Sequence, residues 1–138
     1  KPSFIEKLEK EIIKYPELGS FFFISEYPDS LSQKEQRSLR FERITDLKWQ
    51  IDYLICFTKL LDLSLMNHDD VELNTIEGKI KIYSLAYNSG HWYDLEKIKL
   101  YQHKKFFPGK LKSFFRKYNY SDIALYFHKT YFKKEINF

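Results

Sequence analysis

Residues able to perform nucleophilic or acid–base chemistry are few in this chain, and their spacing forms no recognised catalytic pattern. Cys56 is the only cysteine and lies within an apolar run, residues 53–57, which favours a buried thiol over an accessible nucleophile. Some helical ribonuclease domains pair an arginine with a histidine on one helix, but here Arg116 and His128 are separated by a predicted turn. We therefore assign no catalytic residue, while a site assembled from residues distant in sequence stays open.

The sequence also lacks the common patterns for binding a metal or a phosphate group. No two histidines have the spacing of four that a helical zinc site uses, since they stand at His68, His91, His103 and His128. His68, Asp69 and Asp70 form the one compact group of metal-binding side chains, and in a predicted loop such a group is usually solvated. The four glycines are isolated from one another, so there is no glycine-rich phosphate loop. We predict neither a metal nor a cofactor.

Positive charge is concentrated in the basic C-terminal third of the chain. Residues 97–138 contain 11 lysines and arginines and only two acidic residues, whereas the whole chain has a net charge of +4. Clustered cations attract polyanions by Coulomb forces and by the release of condensed counterions. We predict a binding surface for nucleic acid or for an acidic protein surface at six residues: Lys104, Lys105, Lys110, Lys112, Arg116 and Lys117.

Two binding functions fit this distribution of charge. The first is a non-enzymatic binding or regulatory module whose basic, aromatic C-terminal surface contacts a polyanion, DNA or RNA above all, with aromatic side chains stacking on unpaired bases. The second is a protein–protein interaction or adaptor domain, built from helical hairpins, that holds a protein segment in an aromatic-lined groove. An ordinary amphipathic helix can also have lysines on one face and aromatic residues on the other, without any ligand. The polyanion function therefore requires the cations to gather on one exposed surface.

The composition predicts a mainly α fold. Aromatic residues make up 19% of the 138 residues, which is enough for a core, and the scarcity of Gly and Pro, four of each, disfavours turn-rich β folds. Ser3 with Glu6 is a predicted capping box for a helix over residues 3–15, and Ser32 with Glu35 is a second one. We expect a small helical bundle or stacked helical hairpins.

The clearest periodic pattern predicts one long central helix, from about residue 32 to residue 67. Apolar residues recur there at spacings of three and four, interrupted only by Thr58: Ile44, Leu47, Ile51, Leu54, Leu61 and Leu65. Such a stripe is typical of a coiled-coil-like helix, and self-association through it fits either binding function. Arg37, Arg40 and Arg43 follow one another at spacings of three, either in solvent-facing ion pairs or as a stripe that binds phosphate.

Residues 71–93 permit two interpretations. Apolar residues from Ile76 to Tyr87 have helical spacing, whereas residues 79–85 begin with the alternation of a strand. A helix is favoured, and a minor β-hairpin stays open. The segment 86–92 and the helix that follows it resemble a tetratricopeptide hairpin, which implies paired antiparallel helices.

Three more helices are predicted toward the C-terminus, over residues 92–106, 110–118 and 121–135. The last two, joined by a short turn, broadly resemble a helix-turn-helix, and a hairpin packed for stability explains the pattern equally well. We expect a single helical domain over residues 1–138. The sequence contains no run of roughly 18 consecutive apolar residues, so we predict no membrane-spanning helix. The single cysteine is compatible with a reducing compartment, so we expect a cytoplasmic protein.

Overall fold

Helices form the framework of the chain in the computed structural model, which describes residues 2–104 and 119–132. The α-helices are α1 (Pro2–Ile12), α2 (Gln33–Thr45), α3 (Leu47–Leu65), α4 (Ile76–Ser89), α5 (Leu95–Leu100) and α6 (Tyr120–Phe127). Three 3-10 segments cover Pro16–Ser25, Val71–Asn74 and Tyr101–His103, and a π-helical turn, His128–Phe132, follows α6. The predicted mainly α class is confirmed. Within the two described ranges, no helix is long and apolar enough to cross a membrane.

Contacts between Cα atoms divide the chain into two compact units, Lys1–Leu63 and Ser64–Phe138, called here the first unit and the second unit. The first unit contains α1, α2 and all of α3 except its last two residues. The second unit contains α4, α5 and α6. A single domain over residues 1–138 stays a prediction.

The core of the first unit is supplied by α1, the first 3-10 segment and α3. Its buried apolar residues are Ile5, Leu8, Ile12, Leu18, Ile24, Tyr53, Cys56, Phe57, Leu60 and Leu61. Those of α1 recur at spacings of three and four, so burial of one helix face explains the periodicity seen in the sequence. The apolar run 21–24 is 3-10 helical.

Of the two predicted capping boxes, one is confirmed and one is wrong. Ser32 Oγ accepts a hydrogen bond from the backbone N–H of Glu35 at 3.3 Å, and the Glu35 carboxylate accepts one from the N–H of Ser32 at 2.7 Å. Ser3 lies inside α1, because the helix already begins at Pro2, whose fixed φ suits a first helical turn. Glu6 therefore accepts a hydrogen bond from Lys10 at 2.9 Å, one turn further along α1.

The predicted long helix over residues 32–67 is wrong, because Asp46 divides it into α2 and α3. Asp46 has an extended backbone, with φ −94° and ψ 126°, and its N–H bonds to the carbonyl of Arg43 at the end of α2. Its side chain accepts a hydrogen bond from the N–H of Trp49 at 3.1 Å, in the first turn of α3. Aspartate favours this arrangement since its short carboxylate satisfies helix-terminal N–H groups.

In the second unit, a 3-10 segment (Val71–Asn74) and α4 (Ile76–Ser89) occupy most of the range 71–93, which contains no β-hairpin. The Thr75 hydroxyl accepts a hydrogen bond from the N–H of Gly78 at 3.0 Å and begins α4, and Gly90 ends it in the left-handed conformation at φ 74°. A Cβ atom at Gly78 would lie 1.9 Å from the carbonyl oxygen of Glu72, so only glycine fits there. The helix, favoured from its apolar spacing, is confirmed.

The remaining helices differ in length from their predictions. α5 starts at Leu95 because the Asp94 carboxylate accepts a hydrogen bond from the N–H of Lys97 at 3.1 Å, and a 3-10 turn ends at His103. The helix predicted over 92–106 is therefore too long at its start, where residues 92 and 93 precede the Asp94 cap. α6 and its π-helical turn occupy part of the range 121–135, whereas the helix predicted over 110–118 lies outside the described residues.

Candidate polyanion-binding surface

The structure describes Lys104, the first of the six predicted binding residues. Its side chain is exposed, and its Nζ lies 4.3 Å from the centre of the Tyr101 ring, within range of a cation–π interaction. The other five predicted residues, Lys105, Lys110, Lys112, Arg116 and Lys117, lie outside the described residues. The grouping of the six lysines and arginines on one face therefore stays a prediction.

Asn119 fixes the positions of the residues on both sides of this basic segment. Its buried Nδ2 donates hydrogen bonds to the backbone carbonyls of Tyr101, Gln102 and Lys104, at 2.6, 3.0 and 2.7 Å. Its Oδ1 accepts hydrogen bonds from the N–H and the hydroxyl of Ser121, at 2.8 and 2.6 Å. One side chain thus starts α6 and also holds it against the end of the preceding 3-10 turn. The chain leaves this point after Lys104 and returns to it at Asn119.

Acidic residues of the second unit pair with lysines that lie outside the predicted binding set. Lys99 bonds to Asp70 and lies 3.8 Å from Glu72, which is also 3.6 Å from Lys81. Two further pairs join Lys97 to Asp94 at 3.1 Å and Lys129 to Glu77 at 3.5 Å. The Lys99 ammonium lowers the pKa of Asp70 and keeps it ionised. These carboxylates neutralise neighbouring cations, and residues 104–118 contain no acidic residue of their own.

Three aromatic side chains on α6 and its π-helical turn are exposed. Tyr126, Phe127 and Tyr131 are 63%, 51% and 59% exposed. The rings of Phe127 and Tyr131 are stacked, with centroids 5.6 Å apart and planes 17° from parallel. Exposed, nearly parallel rings offer a platform on which planar groups can stack. The sequence predicted aromatic support for the binding surface but did not single out these three residues.

The structure disfavours nucleophilic chemistry at Cys56 and gives a structural role to Asp70. Cys56 is buried, and burial raises the pKa of its thiol to about 12, so the reactive thiolate is suppressed. Asp70 begins the 3-10 segment at Val71 by accepting a hydrogen bond from the N–H of Glu72 at 2.9 Å. Among the described residues, no group of three or more His, Cys, Asp or Glu side chains could hold a metal ion.

The three arginines predicted as one stripe have three different environments in the first unit. Arg40 forms an ion pair with Glu9, in which its Nη2 lies 2.8 Å from Oε2 and its Nε lies 3.0 Å from Oε2 and 3.2 Å from Oε1. Arg43 is buried and donates to the carbonyls of Ile24 and Glu26, at 2.8 and 3.0 Å. Arg37 is exposed and makes no ion pair or side-chain hydrogen bond with the described part of the chain.

A polar depression of about 950 Å³, called here the cationic groove, lies between α1 and α2. It is lined by Ser3, Glu6 and Lys10 from α1 and by Gln33, Lys34, Gln36, Arg37 and Arg40 from α2. Lys10 lowers the pKa of Glu6 through their hydrogen bond, and the charges of Arg40 and Arg37 lower it further. The groove therefore has a positive potential, although it includes one carboxylate.

Sequence reasoning found part of the cationic groove. The arginine spacing on α2 is compatible with solvent-facing ion pairs or with a phosphate-binding stripe, but Lys10 belongs to another helix and was not connected with it. A contact between helices that are separated in sequence leaves no periodic signal. The buried Arg43 also belongs to the arginine stripe in sequence but lies away from the groove lining.

The comparisons with known proteins add no family to this description. No protein-family model matches the chain, and neither a curated protein nor a solved structure is similar enough to it to count as a match.

Proposed function

We propose that this protein is a non-enzymatic module that binds a polyanion, with single-stranded nucleic acid as the preferred ligand, through its basic C-terminal third. The observation that carries the proposal is the charge of residues 104–118, which include six cations and no carboxylate. Among the described residues of the second unit, Lys81, Lys97, Lys99 and Lys129 each pair with a carboxylate, whereas the sequence of residues 104–118 includes no carboxylate of its own. Clustered cations of this kind bind phosphates by releasing counterions.

The anchoring of the segment by Asn119 and the nearby aromatic residues support this proposal. Asn119 ties the backbone of Lys104 to the start of α6, so the described residues on the two sides of the basic segment are held together. The stacked rings of Phe127 and Tyr131 are available for unpaired bases, which favours single strands over duplexes. Lys129 on the same turn is paired with Glu77, so it is not counted among the cations of the proposed surface.

Binding of labelled single-stranded DNA and RNA across a salt series tests this function. The slope of log affinity against log salt is about −0.7 for each phosphate contact on a single strand. Replacing Lys104, Lys105 and Lys110 with glutamine is therefore expected to reduce the magnitude of the slope by about 2 and to weaken binding at low salt. Fluorescence anisotropy measures both quantities.

A charge-matched control separates a local surface from the total charge of the protein. The variant with Lys14, Lys48 and Lys59 replaced by glutamine loses the same charge from the first unit, and we expect its slope to stay near that of the unaltered protein. Equal effects of the two triple variants, or no binding at low salt, would contradict the proposal. Polyglutamate binding as tightly as single-stranded DNA would indicate an acidic protein surface as the ligand.

A second candidate function, self-association through α3, is favoured by an exposed apolar face on that helix. Leu47, Ile51 and Leu54 are 70%, 48% and 59% exposed. Their spacing continues the coiled-coil-like stripe of the sequence. If a second copy lay antiparallel to the first, Ile51 of each copy would meet Leu54 of the other, so the exposed apolar face is complementary to itself. We therefore propose a second copy of this chain as the occupant of this face.

Light scattering at increasing protein concentration tests this association. Leu54→Glu is expected to give a monomer where the unaltered protein dimerises, because it places a charge at the centre of the apolar contact. Ile13→Glu is the matched control, since Ile13 is 59% exposed and lies outside α3. Association through α3 would be excluded if the unaltered protein stayed monomeric at millimolar concentration. It would also be excluded if both variants lost the dimer equally.

A further inference from the structure

The cationic groove contains positive groups that the protein does not neutralise. Lys34 and Arg37 are exposed, and neither makes an ion pair or a side-chain hydrogen bond with any described residue. Arg40 uses its Nε and Nη2 on Glu9, while its Nη1 has no hydrogen-bond partner in the described ranges. Lys10 is the one lysine of the groove with an acidic partner, Glu6, in this region. Three of the four cations can therefore receive an anion.

These three cations form a row along α2. Lys34, Arg37 and Arg40 succeed one another at spacings of three, so each lies about one helical turn from the next. Six residues of α-helix rise about 9 Å, a span that suits a chain of neighbouring phosphates better than one isolated phosphate. Arg40 is held in place by its ion pair with the buried Glu9, so this end of the row is preorganised.

The groove offers no aromatic side chain to a base. Its described lining residues are all polar or charged, with three neutral side chains, Ser3, Gln33 and Gln36, beside the ionised ones. Such side chains donate hydrogen bonds to phosphate oxygens, and stacking on a purine or a pyrimidine is open only to the guanidinium planes of Arg37 and Arg40. The volume of about 950 Å³ lies within the range of small-molecule sites.

We infer that the cationic groove is a second binding site, for a small ligand that carries two or more adjacent phosphate groups. Arg37 and Lys34 bind the phosphate oxygens, Arg40 donates through its Nη1, and the glutamines donate neutral hydrogen bonds. An inorganic polyphosphate and a nucleoside triphosphate share this chemistry. The site belongs to the first unit and does not depend on the proposed function of the C-terminal third.

Calorimetric titration with inorganic tripolyphosphate at low salt tests this inference on the full chain. Arg37→Gln is expected to weaken binding about tenfold, since it removes charge-assisted hydrogen bonds, and Lys34→Gln about threefold. Lys48→Gln is the control, because Lys48 is exposed on α3 of the same unit and its loss changes the net charge equally. The altered side chains are exposed, so the variants should fold like the unaltered protein.

Two further measurements identify the ligand and separate this site from the basic C-terminal third. ATP is expected to bind about as tightly as tripolyphosphate, and adenosine not to bind; tighter binding of ATP would support the site with a nucleotide as its ligand. The variant with Lys104, Lys105 and Lys110 replaced by glutamine should bind tripolyphosphate normally. The inference fails if tripolyphosphate does not bind, or if adenosine binds as tightly as ATP. It also fails if the triple-glutamine variant loses tripolyphosphate binding, or if Arg37→Gln and Lys48→Gln weaken that binding equally.

Discussion

Replacing Glu9 with alanine is expected to destabilise the first unit by about 3 to 5 kcal/mol, the usual cost of removing one partner from a buried ion pair. The side chains of Glu9 and Arg40 are only 7% and 13% exposed. The variant would leave the Arg40 guanidinium without its counter-charge and the Tyr27 hydroxyl without its acceptor. Urea titration, with amide hydrogen exchange to follow each unit separately, measures the free energy of unfolding.

Three comparison variants identify the physical origin of this effect. Glu6→Ala removes an exposed pair from the same helix, and we expect a far smaller change because solvent screens that pair. Tyr27→Phe removes one hydroxyl and is expected to cost about 1 kcal/mol. A double variant, Glu9→Leu with Arg40→Met, should recover much of the loss, since it removes both buried charges together. An alanine variant as stable as the unaltered protein would show that Glu9 does not support the fold.

The sequence predicts helices well where the signal is local. The capping box at Ser32 and the helical spacing that begins at Ile76 involve residues within a few positions of one another, and both predictions are confirmed. The break at Asp46 was missed for the same reason, because the apolar spacing continues through it from Ile44 to Leu47. An aspartate in a periodic stretch is compatible with a helix surface and with a cap, and tertiary packing decides between them.

Predictions of charged sites were limited by contacts between distant residues. Arg40 and Glu9 are 31 positions apart, so the sequence could not tell a phosphate-binding arginine from one already paired with a carboxylate. The same uncertainty in pairing applies to Lys99, whose partner Asp70 is 29 positions away. The excess of positive charge near the C-terminus needed no such contact to be recognised, because it follows from counting residues. Whether those charges share one surface requires the three-dimensional arrangement.

The second large effect is expected at Asn119, where aspartate is the most informative replacement. Asn119→Asp keeps an oxygen that accepts from Ser121, so α6 can still begin at the same residue. It also replaces the Nδ2 donor with a carboxylate oxygen that faces the carbonyls of Tyr101, Gln102 and Lys104. Losing the hydrogen bonds of both Nδ2 hydrogens and burying an uncompensated charge should cost the second unit about 3 to 5 kcal/mol. Urea titration of that unit measures the loss.

The same position links stability to the proposed binding function. Since Asn119 joins the two sides of the basic segment, Asn119→Ala should weaken nucleic-acid binding even where the protein remains folded, although the net charge is unchanged. Ser121→Ala removes one hydrogen bond to the Asn119 side chain and leaves the three carbonyl contacts in place, so its cost should be about 1 kcal/mol and its affinity normal. If Asn119→Ala binds nucleic acid as tightly as the unaltered protein does, the positive charge of the segment is sufficient for binding. The anchoring of the segment by Asn119 then has no part in recognition. Anisotropy titrations at low salt decide between these outcomes, because they read affinity separately from stability.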